Sequence, residues 1–211
     1  MAKEISGILK TICCSLGLVI FGLFVHSHFP LYLFSIAGLL ITALIIALYL
    51  PPWNMWITSR ITKIQFKRIV LNFLSGCILG VVIAFLYRNY LGTNLFPGAL
   101  TRIVWIALSI GISEEIVYRG FIQKWLDSYH WSVSISLASV AHTAYKCSLF
   151  ILPLHNNPID LFFLAFWTFT IGLLFGMINH FSKSLLPSAT AHAVFDIMVY
   201  GSLDSLPWWV W

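Results

Sequence analysis

Charge is scarce in this 211-residue chain: Asp, Glu, Lys and Arg make up 9% of it, against about 25% in a typical soluble domain. So few ionised groups cannot coat a water-facing surface, which excludes a soluble globular protein. Cysteine is sparse too. Cys13, Cys14, Cys77 and Cys147 form no CxxC pair, and they read as inert thiols in or near apolar segments rather than as a disulfide or metal framework. The HExxH signature is missing, which excludes a zincin-type site. No small-residue cleavage site follows the first apolar stretch, which runs on as FVHSHFP, so an uncleaved first span is expected. Long repeats and low-complexity tracts are also absent, and the length suits one integral membrane domain over residues 1–211.

What is present is apolar. Hydrophobic residues reach 60% of the chain. A membrane-spanning helix needs about 20 mainly apolar residues, and seven segments meet or approach that: 9–27, 31–50, 68–87, 98–126, 131–151, 159–179 and 186–203. Pro30, Pro51, Pro52, Pro97, Pro153, Pro158 and Pro187 fall between these segments or in a first turn, where proline is tolerated. The fold expected is all-α, a polytopic transmembrane helical bundle of about seven spans. GxxxG patterns at Gly76/Gly80 and Gly172/Gly176 mark the third and sixth spans for close helix packing.

Net charge is +5. The basic residues cluster between apolar runs, so they speak to membrane orientation and not to nucleic acid. Residues 51–68 place Trp53, Trp56, Ile57, Ile61 and Ile64 at helical spacing, with Arg60, Lys63 and Lys67 opposite, as in a short interfacial amphipathic helix. The positive-inside rule sets that segment, and with it the N-terminus, on the cytoplasmic side. Lys3, Lys10, Lys124 and Lys183 agree; Arg88 and Lys146 are isolated exceptions. The ending SLPWWVW suits an aromatic interfacial anchor.

Within the later spans the ionisable residues are few: Glu114, Glu115, Arg119, His142, Lys146, His192 and Asp196, with His180 at a span end. Each costs at least ~2.5–3.5 kcal/mol at the bilayer centre, so each needs a partner, water or a function. Glu115 and Arg119 are four apart and are expected to pair on one helix face. Glu114 is turned about 100° away, with Tyr118 as its helical neighbour. A second carboxylate in such a place is disfavoured in its ionised form, which is how a general base is tuned. Counting about 1.5 Å per residue puts Glu114 and His142 at matching depth, with His192 and Asp196 nearer the inner surface. Three helices thus deliver titratable groups to the inner half of the membrane. Lys146, near an outer end, is expected to snorkel. Intramembrane Glu, His and Asp also build proton relays, so a proton-coupled transporter and a non-catalytic scaffold or immunity protein stand as alternatives to an enzyme.

The pattern of these residues resembles a known family. Glu114-Glu115-xxx-Arg119 with Gly120-Phe121 is similar to the first motif of the CAAX prenyl protease and bacteriocin-processing (Abi) family of intramembrane proteases. His142 stands in the place of the FxxxH motif, with Ala138 where the phenylalanine would be. His192-Ala-Val-Phe-Asp196 resembles HxxxN, with aspartate in the last place. The resemblance covers residues 98–200, the protease-like core. It implies an intramembrane endopeptidase acting on a membrane-associated peptide or protein, among them prenylated CAAX-type C-termini. It also implies that Glu114 and His142 activate water, that His192 and Asp196 stabilise an oxyanion or bind metal, and that Glu115 and Arg119 orient the helix and the first glutamate. An ionised Asp196 cannot donate to an oxyanion as asparagine does; it must be protonated, orient His192 or ligate a metal. Glu114, His142, His192 and Asp196 would be the ligand set, and zinc is the metal that suits such donors. Membrane lipids are the remaining expected partner.

Overall fold

The computed structural model describes residues 2–48, 63–151 and 160–203. Helices follow one another with no strand among the described residues: α1 (Ala2–Phe24), α2 (Tyr32–Leu48), α3 (Lys63–Tyr90), α4 (Ile103–Glu115), a π-helical segment (Ile116–Ile122), α5 (Gln123–Trp125), α6 (Trp131–Ile151), α7 (Leu161–Ser182) and α8 (Leu186–Tyr200). With α4, the π segment and α5 taken as one run, each expected span holds one helical segment. The all-helical expectation is met. Three stretches are long and apolar enough to cross a membrane: Ser6–Phe24, Gln65–Tyr90 and Leu161–Ser182; Tyr32–Leu48 is a shorter apolar helix. Large apolar side chains such as Leu39, Leu40, Leu71 and Ile78 are exposed on these helices, as lipid-facing residues are. The chain is an integral membrane protein.

Boundaries differ from the sequence reading at two places. Lys63–Arg68 form the first turns of α3 and not the end of a separate surface helix; the remainder of that expected amphipathic segment, 51–62, lies outside the described residues. So does the SLPWWVW ending. The fourth span begins at Ile103 rather than 98. The residues before it form a loop in which Thr101 binds the carbonyls of Gly201, at 2.7 Å, and Leu203, at 2.6 Å.

The chain divides into two compact units: Met1–Ser59 with Tyr118–Gly176, and Arg60–Val117 with Met177–Trp211. In the first, α1 packs on α2 and on α6. Gly17 and Gly38 face one another across the α1–α2 contact, where a Cβ on Gly38 would lie 2.5 Å from the Gly17 carbonyl oxygen. Hydroxyls in this apolar setting bond back to their own helix, as Ser139 does to the Ile135 carbonyl at 2.8 Å and Thr42 to that of Gly38 at 3.0 Å. That satisfies them where no water competes. The four cysteines are free, and only Cys14 is fully buried.

In the second unit α8 packs on both α3 and α4. The Gly76/Gly80 pattern makes the close approach expected of it, lying against Pro187, Thr190 and Ala191 of α8. Pro187 sits in the first turn of α8, where its missing N–H leaves no hydrogen bond unmade. Arg88, an exception to the positive-inside pattern, is buried. Its guanidinium donates to the carbonyls of Met198 at 2.6 Å, Phe96 at 3.4 Å and Asn94. A cation at carbonyls near the C-terminal end of α8 is also favoured by the helix dipole.

Candidate active site

The second unit gathers four of the residues singled out by sequence around one imidazole. Glu114 and Glu115 end α4, and His192 and Asp196 lie one turn apart on α8. His192 Nδ1 is 3.2 Å from Glu115 Oε1, while its Nε2 is 3.8 Å from Glu114 Oε2 and 4.0 Å from Asp196 Oδ1. Glu115 is fully buried, and the His192 side chain retains 13% exposure. Three carboxylates therefore surround a single ring that can carry a positive charge.

Only the Glu115 contact is a hydrogen bond. Glu115 holds the ring by Nδ1, and Nε2 is turned toward Glu114 and Asp196. Gly111, one turn before Glu114, makes the packing feasible: a Cβ there would overlap Asp196 Oδ2 and sit 2.9 Å from His192 Cδ2.

The first unit holds His142, Arg119 and Tyr118. His142 lies in the middle of α6 and is buried. Arg119 Nη1 is 3.3 Å from His142 Nδ1, and Arg119 Nη2 donates to the Gly172 carbonyl at 3.0 Å. The Tyr118 ring stacks on the His142 ring with centroids 4.3 Å apart and planes at 23°. Arg119 also lies 5.9 Å from the centre of the Phe175 ring, within cation–π range. One turn on, Gln123 donates to the Gly176 carbonyl at 3.1 Å. The Gly172/Gly176 pattern on α7 thus presents two backbone acceptors to two polar side chains of the fourth span. Lys146 Nζ lies 5.7 Å from the centre of the Tyr145 ring.

Arg119 and Tyr118 come from the π-helical segment that begins directly after Glu115. π segments of this kind recur at functional sites. Sequence reasoning did not find Tyr118 as a partner of His142, because no residue pattern announces the change of helix type. Gly111 carried a usable signal, a small residue one turn before the paired carboxylates. Among the described residues, no group of three or more His, Cys, Asp or Glu side chains has the spacing of a metal centre.

In a comparison with known families, residues 96–198 match the family described as "Type II CAAX prenyl endopeptidase Rce1-like". No curated protein and no solved structure matches the chain. The matched residues include Glu114, Glu115, Arg119, His142, His192 and Asp196, and over this segment the chain is similar to the Rce1-like type II CAAX prenyl endopeptidase family.

Proposed function

We propose that the chain is an intramembrane endopeptidase that cleaves a peptide bond of a membrane-associated substrate, of which a prenylated CAAX-type C-terminus is the leading class. The family match over residues 96–198 supports CAAX endopeptidase activity in general. The observation that carries the finer reading is the placement of His192 Nε2 at 3.8 Å from Glu114 Oε2, with Nδ1 held by Glu115 at 3.2 Å. At that separation a base and a charge acceptor can serve the two oxygens of one tetrahedral carbon.

Glu114 takes a proton from water, and the resulting hydroxide adds to the scissile carbonyl carbon. The displaced π electrons collect on the carbonyl oxygen. His192, donating Nδ1–H to Glu115, presents Nε2–H to that oxyanion. Asp196 stands beside it in the protonated form, because an ionised carboxylate would repel the developing charge. The C–N bond then breaks, and the proton held by Glu114 passes to the leaving amine. The family resemblance adds His142 to the activation of water.

Metal dependence is a separate proposal, drawn from the donor types of Glu114, His142, His192 and Asp196. Bound zinc would polarise the carbonyl or acidify water. Cleavage that is lost on chelation and restored by zinc would support it, and indifference to chelator would leave the carboxylate–imidazole route.

The reading is tested with purified full chain and a membrane-inserted, prenylated peptide followed by mass spectrometry. Glu114→Gln is expected to lower cleavage at least ~10²-fold while the thermal unfolding midpoint stays near that of the parent. If Glu114→Gln, His142→Ala and His192→Ala all cleave like the parent, the peptidase reading is wrong. Flux across vesicles without cleavage would move the assignment to a transporter. An unprenylated peptide cut as fast as the prenylated one would remove the lipid from the substrate class.

A further inference from the structure

The nitrogen of His142 that faces Arg119 has a fixed polarity. A guanidinium carries only N–H donors and stays protonated. Arg119 Nη1 lies 3.3 Å from His142 Nδ1, so Nδ1 must present its lone pair, and the hydrogen of a neutral ring sits on Nε2. Arg119 has little freedom to withdraw. Its side chain is 2% exposed, and its other terminal nitrogen bonds the Gly172 carbonyl at 3.0 Å. Gly172 leaves the room for this, since a Cβ there would come within 3.3 Å of Arg119 Nη2. Tyr118, 1% exposed, covers a face of the imidazole and opposes rotation of the ring.

We propose that Arg119 is a positioning residue that locks His142 into the tautomer bearing hydrogen on Nε2. In the peptidase reading, on which this consequence rests, His142 donates to the oxygen of water or of the intermediate and does not accept the water proton. Proton abstraction then falls to Glu114 alone. The polarity is also opposite to that of metal-bound histidines, which donate their second ring N–H to a carboxylate, carbonyl or water. A ring with hydrogen on Nε2 and a guanidinium at Nδ1 has no lone pair left for a metal.

Nitrogen-15 NMR of histidine-labelled full chain in lipid nanodiscs tests the assignment without reference to activity. The His142 signals are identified by their loss in His142→Gln, or by through-space contact with the Tyr118 ring should that variant not fold. In the parent protein, Nδ1 is expected at the shift of an unprotonated ring nitrogen and Nε2 at that of a protonated one. Arg119→Lys should keep this pattern, and Arg119→Met should bring in the opposite tautomer as a second set of signals. A parent spectrum with hydrogen on Nδ1 would overturn the proposal, as would an Arg119→Met spectrum identical to the parent's. Absence of cleavage in a protein that shows the expected shifts would sink the peptidase reading and leave the tautomer assignment standing.

Discussion

His192 is the point at which three acidic side chains meet, and removing it tests how far they depend on it. His192→Leu takes the imidazole from Glu114, Glu115 and Asp196, which lie between 3.2 and 4.0 Å from it. Breaking a buried charged pair from one side costs about 3–5 kcal/mol. Unfolding of the detergent-solubilised protein is therefore expected to shift toward lower denaturant by that order. The double variant with Glu115→Gln should recover part of the loss, because residues in contact do not act additively; strict additivity would argue against the cluster. Gly111→Ala probes the same place sterically. Its added methyl collides with Asp196 and crowds His192, and overpacking of this kind costs about 1–3 kcal/mol. Cleavage should fall with it. The acidic and basic residues themselves were legible in the sequence, since ionisable groups stand out in apolar runs and His192 and Asp196 are one helical turn apart. Their partners were not. That Glu115 bonds across to His192 on α8 is set by tertiary packing, and local composition does not encode that.

At the scale of helices, the apolar runs located each segment to within a few residues, and the glycine pairs identified two of the close-packed faces. The loop before α4 and the π turn after it were misjudged for a common reason: both are fixed by hydrogen bonds to groups distant in sequence or by a change of ladder, and neither alters hydropathy. Arg88 is an instance. By sequence it breaks the orientation rule, yet it ties the 92–98 loop to α8 through three carbonyls. Arg88→Met keeps the side-chain bulk and removes these bonds. With charged donors worth about 1.5–3 kcal/mol each at most, a loss of roughly 2 kcal/mol in unfolding free energy is expected, with amide exchange rising first in residues 92–98. Unchanged exchange in that loop would argue against the clamp.

For the whole molecule, the expected orientation places the basic N-terminal end of α3 in the cytoplasm. Lys67→Cys in a background without the native cysteines should react with a membrane-impermeant thiol reagent in inverted vesicles and stay protected in sealed, right-side-out ones; the reverse would invert the topology. The order of the chain adds a constraint on biosynthesis. The first compact unit is built from Met1–Ser59 and Tyr118–Gly176, with the other unit's residues 60–117 translated in between. At ribosomal speeds of about 5–20 residues per second, α1 and α2 emerge on the order of ten seconds before α6 and α7, their companions in that unit, are complete. Through that interval the small-residue faces of α1 and α2 have only each other, lipid or an insertion factor to rest against, so the ribosome's pace over the intervening stretch becomes part of how this protein reaches its native state.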